Sequence, residues 1–243
     1  MPSFRINNVN RRSERSVNIV NVSTASTGPD RVALANLSVD RVVGEALALV
    51  NESGLESLTM RRLADRLRAH LPTIYRLVDG KDALIDEMAE AILAKALDNA
   101  RMDHPDWVDR VKSLAGGLRS ALLSQRDGAR IVGGNYAAKR ANLTFVDSLV
   151  GSVQAGGLAR EHALWAASSL FCYVLGEVLE QQGAAGGETE TLEGVVRSGD
   201  YPHLASGPVV QLLDFDARFD FGLNLLMTGM CSGRDEYPGR PQH

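Results

Sequence analysis

Two short apolar-periodic segments, 59–67 and 71–78, lie only three residues apart, and this spacing constrains the fold more than any other feature of the chain. The second segment opens Leu71-Pro72. Proline has no N–H to give and fits a helix only in its first turn, so the pair marks a helix start. Thr59 is a capping residue type, and Met60, Leu63, Ala64 and Leu67 follow it at helical spacing. Ile74, Leu77 and Val78 do the same for the second segment. Helices of about two turns cannot hold themselves together in water and need a prop. One is supplied by the stretch after Ser38, with Asp40 in its first turn and Val42, Val43, Ala46, Leu47, Leu49 and Val50 on one stripe. Residues 51–54 end it, with Gly54 as the left-handed terminal residue. Asp79 and Gly80 break the third helix, and a longer fourth runs from Lys81 to about residue 100 with Leu84, Ile85, Met88, Ile92 and Leu93 inward.

The remainder continues as helix, near 106–125, 141–155, 161–183 and 208–231, with a short one around 189–197. No period-two strand pattern and no repeat interrupts it, so the expectation is an all-α protein. Residues 1–30, rich in Asn, Ser and Arg, read as a disordered basic arm. Residues 31–81 form a three-helix head and residues 82–243 a larger helical body. Charge divides the same way. Residues 1–81 carry 12 Lys and Arg against 8 Asp and Glu, a net +4, while residues 82–243 carry 14 against 22, a net −8. A basic head on an acidic body fits a protein that touches phosphate at one end only. No apolar run reads as the roughly 18–20 residues that span a bilayer, and no secretory signal opens the chain, which points to the cytoplasm and to no membrane partner. Cys172 and Cys231 lie in apolar stretches and read as small buried hydrophobes in a reducing compartment. No Cys/His cluster suggests a metal, and no cofactor motif is present.

Two short helices joined tightly and propped on a third make a helix-turn-helix, whose second helix enters the major groove of double-stranded DNA. The residue types suit that task. Thr59 offers a hydroxyl at a helix N-terminus, Arg61 a fork for a guanine edge, and Lys81 a phosphate contact. Thr73 and Tyr75 lie away from the Ile74 and Leu77 anchors. Taken singly, each has a plainer reading: Arg61, Arg62, Arg66 and Arg68 as a solvated helix face, Tyr75 as rim packing, Thr59 as a cap only. A helical enzyme, or a partner-binding protein with a similar head, remains the alternative. No GxSxG, HExxH, P-loop or GxGxxG occurs, and Glu177 and Glu180, one turn apart, suit the charged side of an apolar helix.

The stretch LSVDRVVGEALALVNESGLESLTMRRLADRLRAHLPTIYRLVDGKDALIDEMAEAIL resembles the DNA-binding head of the tetracycline repressor (TetR) family, most specifically in PTIYRLV followed by GKDAL. LRSALLSQRDGARIVGG and YVLGEVLEQQ resemble, more weakly, the effector-binding and dimer-forming stretches of the tetracycline repressors. The resemblance implies a repressor that binds a palindromic operator as a homodimer and is released by a small molecule. It places Thr59, Arg61, Leu71, Pro72, Thr73, Tyr75 and Lys81 at DNA-contact positions. It also implies that the helices near 161–183 and 208–231 pack with their mates as a four-helix interface.

Departures from the family pattern sharpen these expectations. Arg68 stands where the family usually has glycine, so the turn closes under strain, and His70 stands where a small capping residue is usual. Either side chain then becomes a candidate DNA contact. Leu71 replaces a polar base reader and can make only apolar contact. On the effector side, Val132 occupies the place of the histidine that binds drug-chelated magnesium. Leu97, Leu114 and Ser148 replace polar drug contacts, and Leu118 replaces a phenylalanine, while Glu180 is retained. One carboxylate cannot rebuild an octahedral oxygen-and-imidazole site. The expected pocket is therefore mostly apolar, drawn from Leu97, Trp107, Leu114, Leu118, Val132, Tyr136, Phe145, Ser148, Trp165, Phe171 and Glu180, and suited to a larger, more apolar effector such as an aromatic polyketide. Most of these residues also suit ordinary core packing.

Overall fold

The computed structural model describes residues 37–184 and 188–232, so the arm expected over residues 1–30 lies outside the described residues. Those described form helices and turns with no strand among them. Helix α1 (Val39–Ser53) starts where Ser38 Oγ accepts the Arg41 N–H at 3.2 Å. Gly54 ends it at φ +81°, a conformation strained for any other residue, and its missing side chain leaves room for the Arg126 guanidinium. After a 3-10 turn at Leu55–Ser57 come α2 (Met60–Arg66) and α3 (Leu71–Tyr75). Helix α3 is shorter than its apolar spacing predicts, although the Val78 N–H still reaches the Ile74 carbonyl at 3.0 Å.

Helix α4 (Gly80–Asn99) joins head to body: it packs on α1 on one side and on α5 (Trp107–Leu123), α6 (Gly128–Val132) and α7 (Arg140–Ala155) on the other. At Gly117 a side chain would stand 2.6 Å from the Ala96 carbonyl, so glycine there is what lets α4 and α5 approach so closely. Helix α8 (Arg160–Gly183) lies against α5, α6, α7 and α11 (Phe215–Ser232). Between α8 and α11 come α9 (Glu188–Ser198), α10 (Pro202–Ala205) and a 3-10 turn at Val209–Leu213. The helix expected over 208–231 thus starts only at Phe215. The Asp214 carboxylate accepts the Ala217 N–H at 3.1 Å and caps that start, while Pro208 opens the tighter turn. A single buried apolar cluster runs from Val42 in α1 to Met227 in α11.

Two expectations need correction. Cys172 and Cys231 are exposed rather than buried. Cys172 stands seven residues from both Trp165 and Leu179, all three on the side of α8 opposite Ala163, Ala167, Leu170 and Val174, so α8 carries two apolar faces and the chain buries only one. For the same reason Arg160–Gly183 is long and apolar enough to cross a membrane by length and composition, although no such run was read in the sequence. Helix α11 repeats the pattern, with Phe219, Leu223 and Met227 buried and Phe221 and Leu225 exposed by 67% and 58%.

Candidate nucleic-acid interface and effector site

The head is built on the turn between α2 and α3. The Ala69 N–H reaches back to the Ala64 carbonyl at 3.0 Å and the Arg68 N–H to the Asp65 carbonyl at 3.1 Å. This pair of bonds is the Schellman closure of a helix end, which requires a left-handed residue at Arg68. Arg68 takes it at φ +50°. The strain expected from an arginine in the glycine position is present. His70 precedes α3 with no side-chain cap bond.

The structure separates the four arginines that the sequence left together. Arg62 donates to the Ser57 carbonyl at 3.1 Å and Ser53 Oγ at 3.2 Å. Arg66 holds Glu45 at 2.8 Å and Glu52 at 2.7 Å, clamping α2 onto α1. Its hydrogen bond keeps the Glu52 carboxyl below its ordinary value. Among the described residues, Arg61, Arg68, Arg76 and Lys81 have side chains that bond to nothing in the chain, and all four are exposed. Thr59 Oγ1 accepts the Arg62 N–H at 3.2 Å, leaving its hydroxyl hydrogen available. Tyr75 is 47% exposed at the rim; His70 and Pro72 are exposed, while Leu71 and Thr73 are half-buried. Arg76, not singled out in the sequence, lies two residues past the buried Ile74 anchor and so on the opposite side of the helix.

The loop and helix over residues 125–130 tie the head to the body. Gln125 donates to the Leu47 carbonyl at 3.1 Å, the Arg126 N–H to Asn51 Oδ1 at 2.8 Å, and the Leu55 N–H to Asp127 Oδ2 at 2.8 Å. Arg130 pairs with Glu56 and Asp127, and those bonds raise its pKa. On the other side Gln182 in α8 donates to the Leu122 and Gln125 carbonyls at 3.0 and 2.8 Å, and accepts the Ala129 N–H at 3.3 Å. Helix α6 was not predicted. Its five residues, Gly128 among them and Gly133 following, show no period long enough to read, and Asp127 enters it at φ +57°.

Of the residues expected around an effector, Leu118, Phe145 and Phe171 meet at one small apolar cavity of about 10 Å³. Phe145 and Phe171 pack edge to face there with ring centroids 5.9 Å apart. Leu114 and Val132 are buried in the core near 0% exposure, and Leu97, Trp107 and Ser148 are half-buried. Tyr136 and Trp165 are instead 95% and 69% exposed, and Glu180 also faces solvent. Among the described residues no group of three His, Cys, Asp or Glu side chains is gathered that could hold a metal ion, and Val132 offers none of its own.

The sequence reading missed a polar cluster joining α5, α8 and α11. Arg119 donates to Gln181 at 2.8 Å and Asp216 at 2.6 Å and lies 4.8 Å over the Phe219 ring. Arg218 pairs with Glu177 at 2.9 Å, which gives that carboxylate a structural partner. The Tyr173 hydroxyl donates to the Phe219 carbonyl at 2.7 Å, and burial, then the Glu177 charge, pushes its pKa up to about 12.

Comparison with known proteins agrees with both halves. A family model described as tetracyclin repressor-like, C-terminal domain, matches residues 101–233. The class G tetracycline repressor of Vibrio anguillarum is 33% identical over 204 residues, covering 81% of this chain and 94% of that protein. The crystal structure of a possible TetR family transcriptional regulator from Streptomyces coelicolor A3(2) superposes with a TM-score of 0.73 at 39% identity, covering 81% of this chain and all of that one. ActR from Streptomyces coelicolor, in complex with actinorhodin, superposes with a TM-score of 0.75 at 29% identity, covering 84% and 100%.

Proposed function

The chain belongs to the tetracycline-repressor (TetR) family of transcriptional regulators, and from that membership we propose that it is a homodimeric repressor whose residues 31–81 read a palindromic operator. The body, residues 82–243, then carries the effector pocket and the dimer surface, and the protein works in the cytoplasm without a catalytic step. The observation that carries the reading is the distribution of cations in the head. Arg62 and Arg66 hold it together, whereas Arg61, Arg68 and Lys81 are exposed and unbonded around α2, α3 and their turn. An unpaired cation is the group that displaces counterions from a phosphate backbone. In this reading Thr59 and Lys81 hold phosphates, and Arg61, Thr73, Tyr75, Leu71 and Pro72 face base edges. Arg68 and His70 reach DNA from the turn.

The exposed faces of α8 and α11, marked by Trp165, Leu179, Phe221 and Leu225, pair with those of a second copy. The effector enters the apolar region around Leu118, Phe145 and Phe171. With Val132 buried and Glu180 in solvent, the residues present do not fit magnesium-chelated tetracycline. ActR, which binds actinorhodin, supports a different and larger effector class for this chain. Selection of duplexes from a random pool tests the reading. A two-fold symmetric consensus, with affinity falling steeply as salt rises, is the expected result. Binding without sequence preference would refute it.

A further inference from the structure

On the reading that α3 enters the major groove, we infer that Arg76 is a specificity-determining residue which forks onto a guanine at one position of each half-site. Its place on the helix carries the argument. Residues advance by about 100° around an α-helix, so Arg76 stands about 160° round from Ile74. Ile74 is 0% exposed and anchors α3 in the core, which sets Arg76 at the outward pole. Its backbone is fixed there: the Arg76 N–H donates to the Pro72 carbonyl at 3.3 Å, and its own φ of −73° and ψ of −22° are helical.

The neighbours leave this role to it. Pro72 shares the outward side, but its ring has no hydrogen to donate. Thr73 is half-buried and Tyr75 lies at the rim. Arg76 therefore carries the richest set of donors on the outward side of α3, and among the described residues its side chain bonds to nothing in the chain. Asp79, three residues on, makes no ion pair with it. A guanidinium with five donors in a rigid fork matches the O6 and N7 acceptors of guanine in a way that a lysine ammonium does not.

The experiment uses the full-length protein and the symmetric duplex that the parent selects from a random pool. A panel of duplexes carries every single base-pair change in one half-site. The variants Arg76→Ala, Arg76→Lys and Arg61→Ala are titrated against the panel after their thermal melts are matched to the parent. The expected result is that Arg76→Ala and Arg76→Lys both flatten discrimination at one G·C pair, by roughly ten- to a hundredfold. That pair differs from the one Arg61→Ala relaxes. If Arg76→Ala weakens every duplex equally and Arg76→Lys restores the parent affinity, Arg76 holds a phosphate and the inference is overturned. Parent-like binding by Arg76→Ala, alongside weakened Arg61→Ala, would also overturn it while leaving the head's DNA-binding role intact. Failure of the parent to select any sequence removes the reading itself.

Discussion

At the scale of single residues, the head depends on one strained position and a few free side chains. Arg68 occupies a left-handed conformation that favours glycine. An L-residue there loses about 1–2 kcal/mol, and glycine's greater freedom in the unfolded chain returns about 0.5–1 kcal/mol of that difference. Arg68→Gly should therefore raise stability by up to about 1.5 kcal/mol, read as a higher urea midpoint at unchanged slope, while Arg68→Val should lower it. A less stable glycine variant would contradict the strain. Lys81 and Tyr75 test contact with DNA. Lys81→Ala should weaken all duplexes about equally and lower the salt slope by about one, and Tyr75→Ala should weaken operator binding with the dimer intact. Parent-like binding by both variants would remove the interface. The strain at Arg68 was legible in the sequence, because a family pattern with glycine met an arginine. The division of labour among Arg61, Arg62, Arg66 and Arg68 was not. It depends on where Glu45, Glu52, Ser53 and Ser57 come to lie, which spacing along the chain does not reveal.

At the scale of helices, most starts and stops followed from local chemistry: Ser38 and Thr59 as caps, Pro72 in a first turn, Gly54 at a helix end. Elements with too few residues for a period, α6 and α10, left no such trace. The effector region was the hardest to read. Apolar residues of a pocket and of a core are the same residue types, and only folding shows Leu118, Phe145 and Phe171 together while Tyr136 and Trp165 lie outside. The polar cluster between α5, α8 and α11 gives a test at this scale. Tyr173 is held neutral in the fold, with its pKa raised to about 12 from an ordinary value of about 10. A pKa raised by folding favours the folded state while the group stays protonated, so its contribution is complete below about pH 10 and falls as pH rises toward about 12. Tyr173→Phe should show a shallower loss of stability across that window in denaturant titrations. An unchanged alkaline limb would mean that the hydroxyl is not held as described.

At the scale of the whole molecule, a basic head and an acidic body are joined by α4 and by the bonds around residues 125–130, so the head's placement depends on the body's helices. Gln182 places α8, one of the two helices proposed for the dimer face, directly on that junction. The magnesium–tetracycline complex should leave the protein on its operator at concentrations that release a tetracycline repressor, because Val132 supplies no metal ligand. Mobility shifts with and without the drug and magnesium read this out, and potent magnesium-dependent release would contradict it. Everything proposed for this protein rests on two recognition helices fixed by one dimer, which places them about 34–36 Å apart, one turn of DNA. The most direct measurement is therefore the affinity for the selected palindrome against the same palindrome with five base pairs inserted at its centre. Rotating one half-site to the opposite face of the duplex should reduce binding to the non-specific level, with a further five base pairs restoring part of it. Equal affinity for the original and the half-turn insertion would show that the chain does not read DNA as a fixed dimer.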